Sequence, residues 1–270
     1  MNNNPNLEAL TFQVIQLAKT ITIYLKDEMN AFGNEAIEIK GLHNFVTYVD
    51  KIAEKKIIAA LAEILPEAGF IAEETQDTKK GERYNWVIDP LDGTTNYIHG
   101  VPVFSVSIAL LDGNEVVVGV VHEAVRDECF YAWKGGPAFL NGKTMKVSTA
   151  GKLNDSLMAT GFPYYDYSKL DPYLKIFRHL MENTHGIRRL GSAAVDLAYV
   201  ACGRFEGFYE YGLNSWDVAA GALIVKQASG KVTDFNGGTN FLFGREIIAT
   251  NRLIHDEFLG IVKKYFCNSW

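Results

Sequence analysis

From Leu7 onward the apolar residues Leu10, Val14, Leu17, Ile21 and Leu25 recur at steps of three and four, the spacing of one helix face. The pattern predicts a long amphipathic helix at the start of the chain. A short strand is expected at Ile37 to Ile39 and a second helix from about Thr47, with Val49, Ile52, Ala53, Ile57, Ala60, Leu61 and Ile64 facing inward ahead of Pro66. The pattern then changes to short β-rich runs at Phe70-Ile71, Trp86 to Ile88, Val103 to Leu110, Val116 to Val121 and Cys129 to Trp133, with Asp112-Gly113 as a hairpin signal. These read as a largely antiparallel sheet. In the second half helices are expected at Pro172 to Glu182, Ser192 to Cys202, Trp216 to Ser229 and from His255, and strands near Phe205 to Glu210, Lys231 to Thr233 and Ile247 to Thr250. Two helices, a run of strands and then alternating elements predict an α+β fold built as a layered α/β sandwich. No Pro-, Ser- or Gly-rich linker divides it, so 1–270 reads as one compact unit.

Composition is that of an ordinary globular chain, with 48% hydrophobic and 21% charged residues among 270. The charge balance narrows the partners. With 26 Lys plus Arg against 32 Asp plus Glu, the net charge of −6 argues against nucleic acid, which is normally met by a basic stripe. The basic pairs Lys55-Lys56, Lys79-Lys80, Arg188-Arg189 and Lys263-Lys264 are scattered among acids and read as solvated faces. Val101 to Leu111 is too short to span a bilayer, so no membrane association is expected. Met1-Asn-Asn-Asn-Pro5 lacks the features of a secretory signal, and three widely spaced cysteines (Cys129, Cys202, Cys267) read as reduced thiols in the cytoplasm.

The segment richest in chemistry is Trp86-Val-Ile-Asp89-Pro90-Leu91-Asp92-Gly93-Thr94-Thr95-Asn96. An apolar strand delivers one carboxylate, Pro90 fixes the backbone, and a second carboxylate follows, with the Leu91 carbonyl between them. Hard cations such as Mg²⁺ take oxygen ligands of this kind at about 2.0 to 2.1 Å. If a helix begins after Gly93, its unhindered N–H groups offer a phosphate site. A Pro-containing turn accounts for the same residues without any ligand. Glu73-Glu74 at the end of Phe70-Ile71-Ala72 reads alone as a solvated acidic pair, and Asp217 in Trp216-Asp217-Val218-Ala219-Ala220-Gly221 as an acid favoured in a first helical turn.

Taken together, in this order and spacing, the three strings resemble the inositol monophosphatase family of Mg²⁺-dependent, lithium-sensitive phosphomonoesterases, from Lys40 through Gly238. The resemblance implies metal ligands at Glu73, Asp89, Leu91 (through its carbonyl), Asp92 and Asp217, holding two or three Mg²⁺ ions. It implies that Thr94 and Asp50 orient the attacking water, with Glu73 also catalytic. Gly93 and Thr94 would meet the phosphate, while Gly191, Ser192, Ala193, Glu210 and Asp217 would meet substrate hydroxyls. Lys40 matches a basic position near the site. The implied partner is a small phosphate ester, the implied assembly a homodimer, and any substructure a metal-site half, 1–150, and a substrate half, 151–270.

Glu73, Asp89, Asp92 and Asp217 sum to about −4 when ionised, a charge that repels phosphate unless cations balance it. The expected activity is hydrolysis of a polyol or sugar phosphate, inositol 1-phosphate foremost, by metal-activated water without a phosphoenzyme. Fructose 1,6-bisphosphate, 3′-phosphoadenosine 5′-phosphate, or a non-catalytic binding module on the same fold are the alternatives. Ala72, Thr75 and Ser229 depart from the family's usual Gly, Ser and Gly, which bears on packing more than on activity. Gly136 to Thr144 falls short of a P-loop at Pro137, and His99 and His122 read as core or surface residues rather than ligands.

Overall fold

A computed structural model describes residues 4–31, 37–41, 44–75, 79–164 and 166–267, with only the backbone given at 30, 31, 37–41, 44–47 and 267. The helical period of the first segment forms α1 (Leu7–Ala31), and the second forms α2 (Tyr48–Ile64) after the small antiparallel pair β1 (Ile37–Gly41) and β2 (Asn44–Thr47). Seven strands follow in one sheet: β3 (Gly69–Ala72), β4 (Tyr84–Asp92), β5 (Ser105–Asp112), β6 (Glu115–Glu123), β7 (Glu128–Trp133), β8 (Ala138–Leu140) and β9 (Lys143–Met145). All neighbours are antiparallel except β3 and β4, so the largely antiparallel sheet expected from the sequence is present. The short helix α3 (Thr94–Ile98) leaves the end of β4.

The second sheet is mixed, in the order β11-β10-β12-β14-β13, from β10 (Leu157–Thr160), β11 (Gly186–Arg188), β12 (Gly207–Tyr211), β13 (Lys231–Thr233) and β14 (Glu246–Thr250). Around it lie α4 (Leu170–Asn183), α5 (Ala193–Ala201), α6 (Ser215–Gln227) and α7 (His255–Val262). The period-2 alternation of strands sorts side chains between three cores. Phe208, Ile247 and Ala249 join Val121 and Phe130 of the first sheet around α5 and α6, whereas Tyr209, Tyr211 and Ile248 face α4 and α7. Val118, Val120 and Ile108 face α1 and α2. The result is five layers, α1 and α2, sheet, α5 and α6, sheet, α4 and α7. No described helix is long and apolar enough to cross a membrane.

Three details correct or sharpen the sequence reading. Ile52, expected inward, is 37% exposed, while Glu54 is fully buried. The buried stripe of α2 runs Val49, Ala53, Ile57, Leu61, and Glu54 beside it is buried where its Oε2 accepts the Glu74 N–H at 2.8 Å. Gly136 to Thr144 forms the β8 to β9 hairpin, with Asn141 and Gly142 in left-handed conformation, and not the strand, loop and helix of a nucleotide site. Ser229 stands at φ 74°, where a side chain costs about 1 kcal/mol that glycine avoids, which accounts physically for the usual glycine there.

Helix α6 lies unusually close to the first sheet because Gly119 of β6 has no side chain: a Cβ there would come within 2.7 Å of the Ala220 carbonyl oxygen and 3.1 Å of its Cα. Both obstructions are backbone and cannot turn aside. Gly119→Val is therefore expected to destabilise the fold by about 1 to 3 kcal/mol, read as a drop in thermal midpoint of roughly 2 to 4 °C per kcal/mol. An unchanged midpoint would refute the close packing of α6 on β6.

Candidate active site

The site is assembled where β3, β4, α5 and α6 meet. Strand β4 is buried along almost its whole length and ends in Asp89, Pro90, Leu91 and Asp92. Pairing with β5 continues to Asp89 opposite Ser107, breaks, and resumes at Asp92 opposite Ser105, so Pro90 and Leu91 form a bulge between the two paired carboxylate residues. Asp89 Oδ1 accepts the Leu91 N–H at 2.9 Å, which locks the turn. Gly93 then adopts φ 100°, a conformation that reverses the chain into α3.

The other strings arrive from elsewhere in the fold. The Glu73 N–H extends the β3 to β4 pairing by donating to Ile88 O at 3.3 Å, and Glu54 holds the next amide, so the backbone on each side of the Glu73 side chain is fixed. At the start of α6, Asp217 Oδ2 accepts the Asn214 N–H at 2.6 Å, and Ser107 of β5 donates to the Trp216 carbonyl at 3.2 Å. Oxygens of Asp89, Asp92 and Asp217 thereby all lie within 4.8 Å of one another. Every donor in this set is a carboxylate oxygen, the chemistry of a hard cation.

Helix α5 supports Asp92 rather than standing apart from it. Ser192, the N-cap of α5, donates its hydroxyl to Asp92 Oδ2 at 2.5 Å, and the Ala194 N–H donates to the same oxygen at 2.7 Å. Asn96 of α3 ties the two segments by donating to Leu190 O and Val103 O, both at 2.8 Å. Gly191 sits at φ 90°, and a Cβ on it would lie 2.6 Å from the Arg189 guanidinium and 2.8 Å from the Asn96 amide.

Burial and mutual repulsion govern the charges. Burial is the largest influence on each acid: it lifts Asp92 to about 6 against the hydrogen bonds from Ser192 and α5, and lifts Asp217 to about 7 with the Asp92 charge adding. Glu73 and Asp89 are held well above the usual carboxylate range by burial, then by Asp217 and Glu73 respectively, and the two hydrogen-bond each other. Without a cation this cluster retains protons near neutral pH.

Thr94 Oγ1 lies 3.0 Å from the Leu91 carbonyl and 3.3 Å from Asp50 Oδ1, so its one proton has two acceptors in reach. Asp50, in the first turn of α2, is buried. Glu210 of β12 is buried as well and seats against Gly161, where a Cβ would fall 2.0 Å from its carboxylate. Burial pushes Glu210 well up, opposed by Arg189. Glu73, Asp92, Gly93, Thr94, Gly191, Ser192, Ala193, Glu210 and Asp217 line one cavity of about 150 Å³. Lys40 is placed in β1 by its backbone, and its side chain lies outside the described residues.

Two cavity residues escaped the sequence reading. Arg189, expected on a solvated face, is half-buried and lines the cavity, while its neighbour Arg188 is exposed. Asp196 on α5 is 1% exposed and lines it too, its carboxylate pushed well up by burial and then by Glu210 and Asp92. Adjacent arginines cannot be told apart by composition, and Asp196 sits in an otherwise apolar helix that gives no periodic signal for an inward acid.

A five-layer α/β sandwich whose strand ends and helix starts converge on carboxylate oxygens defines a protein with an acidic cleft that could hold a cation. Residues 6–265 match the model of the inositol monophosphatase family, and the chain belongs to that family. It is 39% identical over 258 residues to the inositol-1-monophosphatase of Mesorhizobium japonicum, covering 95% of this chain and 97% of the relative. It is 47% identical over 235 residues to the Nus factor SuhB of Pseudomonas aeruginosa, covering 85% and 87%. The solved structure of extragenic suppressor protein suhB from Bartonella henselae is similar with a TM-score of 0.90 at 39% identity, covering 95% and 99%. That of the Thermotoga maritima IMPase gives 0.85 at 36%, covering 93% and 96%. Relatives named for the phosphatase thus stand beside relatives named as Nus factors.

Above about pH 6.5, where the buried His122 and His255, lowered to about 4, are neutral in the folded protein and largely so in the unfolded chain, the raised acids set the pH dependence of stability. Their unfolded values are near 4, so between about 4 and 7 the folded protein binds more protons than the unfolded chain. The stabilisation is complete below about pH 4 and is lost as pH rises through about 6 for Asp92 and about 7 for Asp217. In chelator, the thermal midpoint is expected to fall from pH 6.5 to pH 8, Asp217→Asn to flatten that fall, and Mg²⁺ to raise the midpoint more at pH 8 than at pH 6.5. A chelated midpoint that climbs over this range contradicts the buried cluster.

Proposed function

We propose that the protein hydrolyses a small polyol phosphate monoester, inositol 1-phosphate foremost, with two or three Mg²⁺ ions at the acidic cluster and with lithium sensitivity. The observation that carries this is the Thr94 hydroxyl, poised beside Asp50 and opening on the same cavity as Asp92 and Asp217. The cavity, at about 150 Å³, is smaller than drug-sized sites of roughly 300 to 1,000 Å³ and suits a compact ester.

Asp89, Asp92 and Asp217 would hold the cations, with Glu73 and the Leu91 carbonyl completing the set. Bound Mg²⁺ would supply the positive charge that attracts the phosphate, lowers the pKa of a water and neutralises the departing alkoxide. The chain's own residues then divide the work. When Thr94 gives its proton to Asp50, its oxygen is free to accept a proton from water, which orients that water for in-line attack on phosphorus. The N–H groups of Gly93 and Thr94, which line the cavity, would meet phosphate oxygens. Gly191, Ser192, Ala193, Glu210 and Asp217 form the wall toward the alcohol. Because ligands come from both 1–150 and 151–270, we treat the chain as one catalytic unit, and the acidic charge balance favours a small ester over nucleic acid. The cytoplasm and a homodimer belong to the same reading, the dimer to be checked by sedimentation.

Phosphate release should be measured with inositol 1-phosphate, fructose 1,6-bisphosphate, 3′-phosphoadenosine 5′-phosphate and glycerol 2-phosphate, with and without Mg²⁺ and Li⁺. Mg²⁺-dependent, Li⁺-sensitive turnover led by inositol 1-phosphate is expected; silence on every ester would sink the proposal in favour of a binding module. Thr94→Ala is expected to lower kcat by about 10² to 10⁴ with little change in KM. Asp92→Asn should cost several decades in kcat with the fold retained.

A further inference from the structure

Asp50 and Glu54 stand four residues apart on α2, in one buried stripe with Ile57 and Leu61. Each reaches from the helix to a different piece of the acidic cleft. Asp50 Oδ1 lies 3.3 Å from the Thr94 hydroxyl at the start of α3, and Glu54 Oε2 accepts the Glu74 N–H at 2.8 Å, immediately past Glu73. The strand that leads to Glu73 is short. Gly69 to Ala72 pair with β4, the Glu73 N–H adds a bond of 3.3 Å to Ile88 O, and the chain then leaves the sheet in a bend at Glu73 and Glu74. Glu54 holds the backbone on the far side of that bend.

Glu54 has no exposed surface, and its Oε1 has no hydrogen-bond partner among the described residues. A buried acid with one oxygen unpaired is costly, and an apolar side chain would serve the packing of α2 on the first sheet better. What an acceptor supplies, and leucine or methionine cannot, is a fixed amide next to Glu73. We propose that Glu54 is a positioning residue: by holding the Glu74 amide it directs the Glu73 side chain toward Asp89, so that two successive turns of α2 brace the water-orienting Thr94 and the cation-binding carboxylates together. Glu54 itself is not among the residues that line the cavity, so it acts through Glu73 and not on the substrate. The inference rests on the phosphatase reading above and deepens it. With the amide released, Glu73 has to be ordered when a cation binds, and the loss falls on cation affinity rather than on the chemical step.

The test measures Mg²⁺ binding to the substrate-free protein by calorimetry at about pH 8, where the ligands are largely deprotonated, together with the Mg²⁺ dependence of turnover. Glu54→Met, of similar length and unable to accept the amide, is expected to weaken Mg²⁺ binding about tenfold or more and to raise the Mg²⁺ concentration for half-maximal turnover by the same factor. At saturating Mg²⁺ its kcat and its KM for the ester should stay within about threefold of wild type. Glu54→Gln keeps a carbonyl oxygen for the amide and should restore Mg²⁺ binding to within about threefold of wild type. A folded Glu54→Met that binds Mg²⁺ within about twofold of wild type overturns the proposal, even where its thermal midpoint in chelator has dropped, because a packing role alone moves only the midpoint. A loss in Glu54→Gln as large as that in Glu54→Met also overturns it, since the acceptor would then be irrelevant. Should Glu54→Met fail to fold, Glu54→Asp, which withdraws the carboxylate by one methylene, takes its place with the same expected loss. A wild type that turns over no ester overturns the phosphatase reading, whereas an active wild type and variants with unaltered Mg²⁺ binding overturn the role of Glu54 alone.

Discussion

Four carboxylates held together in a buried place are the constraint on which this structure turns. Like charges at such separations repel and also lose hydration, and both effects favour the protonated form. The fold counters this with donors rather than with basic side chains. The Leu91 amide serves Asp89, the Ser192 hydroxyl and Ala194 amide serve Asp92, and the Asn214 amide serves Asp217. Helix starts are well suited to the purpose, because their first N–H groups lack intrahelical partners and carry partial positive charge. Partial donors hold the acids in place yet leave oxygens for a cation, whereas a salt-bridged lysine would have taken that place.

The layering follows from this need. Asp89 and Asp92 sit at the end of a strand in the first sheet, while Ser192 and Asp217 enter on helices that pack between the two sheets. For those helix starts to reach the strand end, α5 and α6 must lie close to the sheet and to each other. Gly119 beneath Ala220 and Gly221 against Leu197 provide the approach, since a Cβ at either glycine would collide at 2.7 and 2.5 Å. The run of small residues after Trp216-Asp217 is thus explained by packing, and the position of Asp217 follows from it.

Much of this was legible in the sequence because local rules and tertiary needs coincide there. The Pro90 turn between two acids, the period of α1, and the short β-branched, apolar runs of β5 and β6 carry their structure in a few adjacent residues. Where the elements are short, as in β8 to β11, three or four residues hold no periodicity to read. Glu54 is buried against hydropathy, where it accepts the Glu74 amide beyond the next strand. Arg189 and Asp196 were hidden for a related reason. Their significance comes from neighbours on Phe162, Tyr164 and Glu210, which the chain brings together across distant segments.

The two ends of the cavity are consequently built by different means. The acidic end depends on a nine-residue strand whose ladder, bulge and hydrogen bonds leave little room for change. The far end is carried on the turns after β10 and β11, where Gly161 and Gly191 make space and a stacked arginine sets the charge. Turns tolerate substitution better than buried strands. A change at Phe162 or Tyr164 therefore falls outside the strand that carries Asp89 and Asp92, whereas a change at Arg189 also alters the charge felt by Asp92, Asp196 and Glu210. Such a separation lets the cavity's far wall vary while the carboxylate end, fixed by the β4 ladder and its bulge, stays the same.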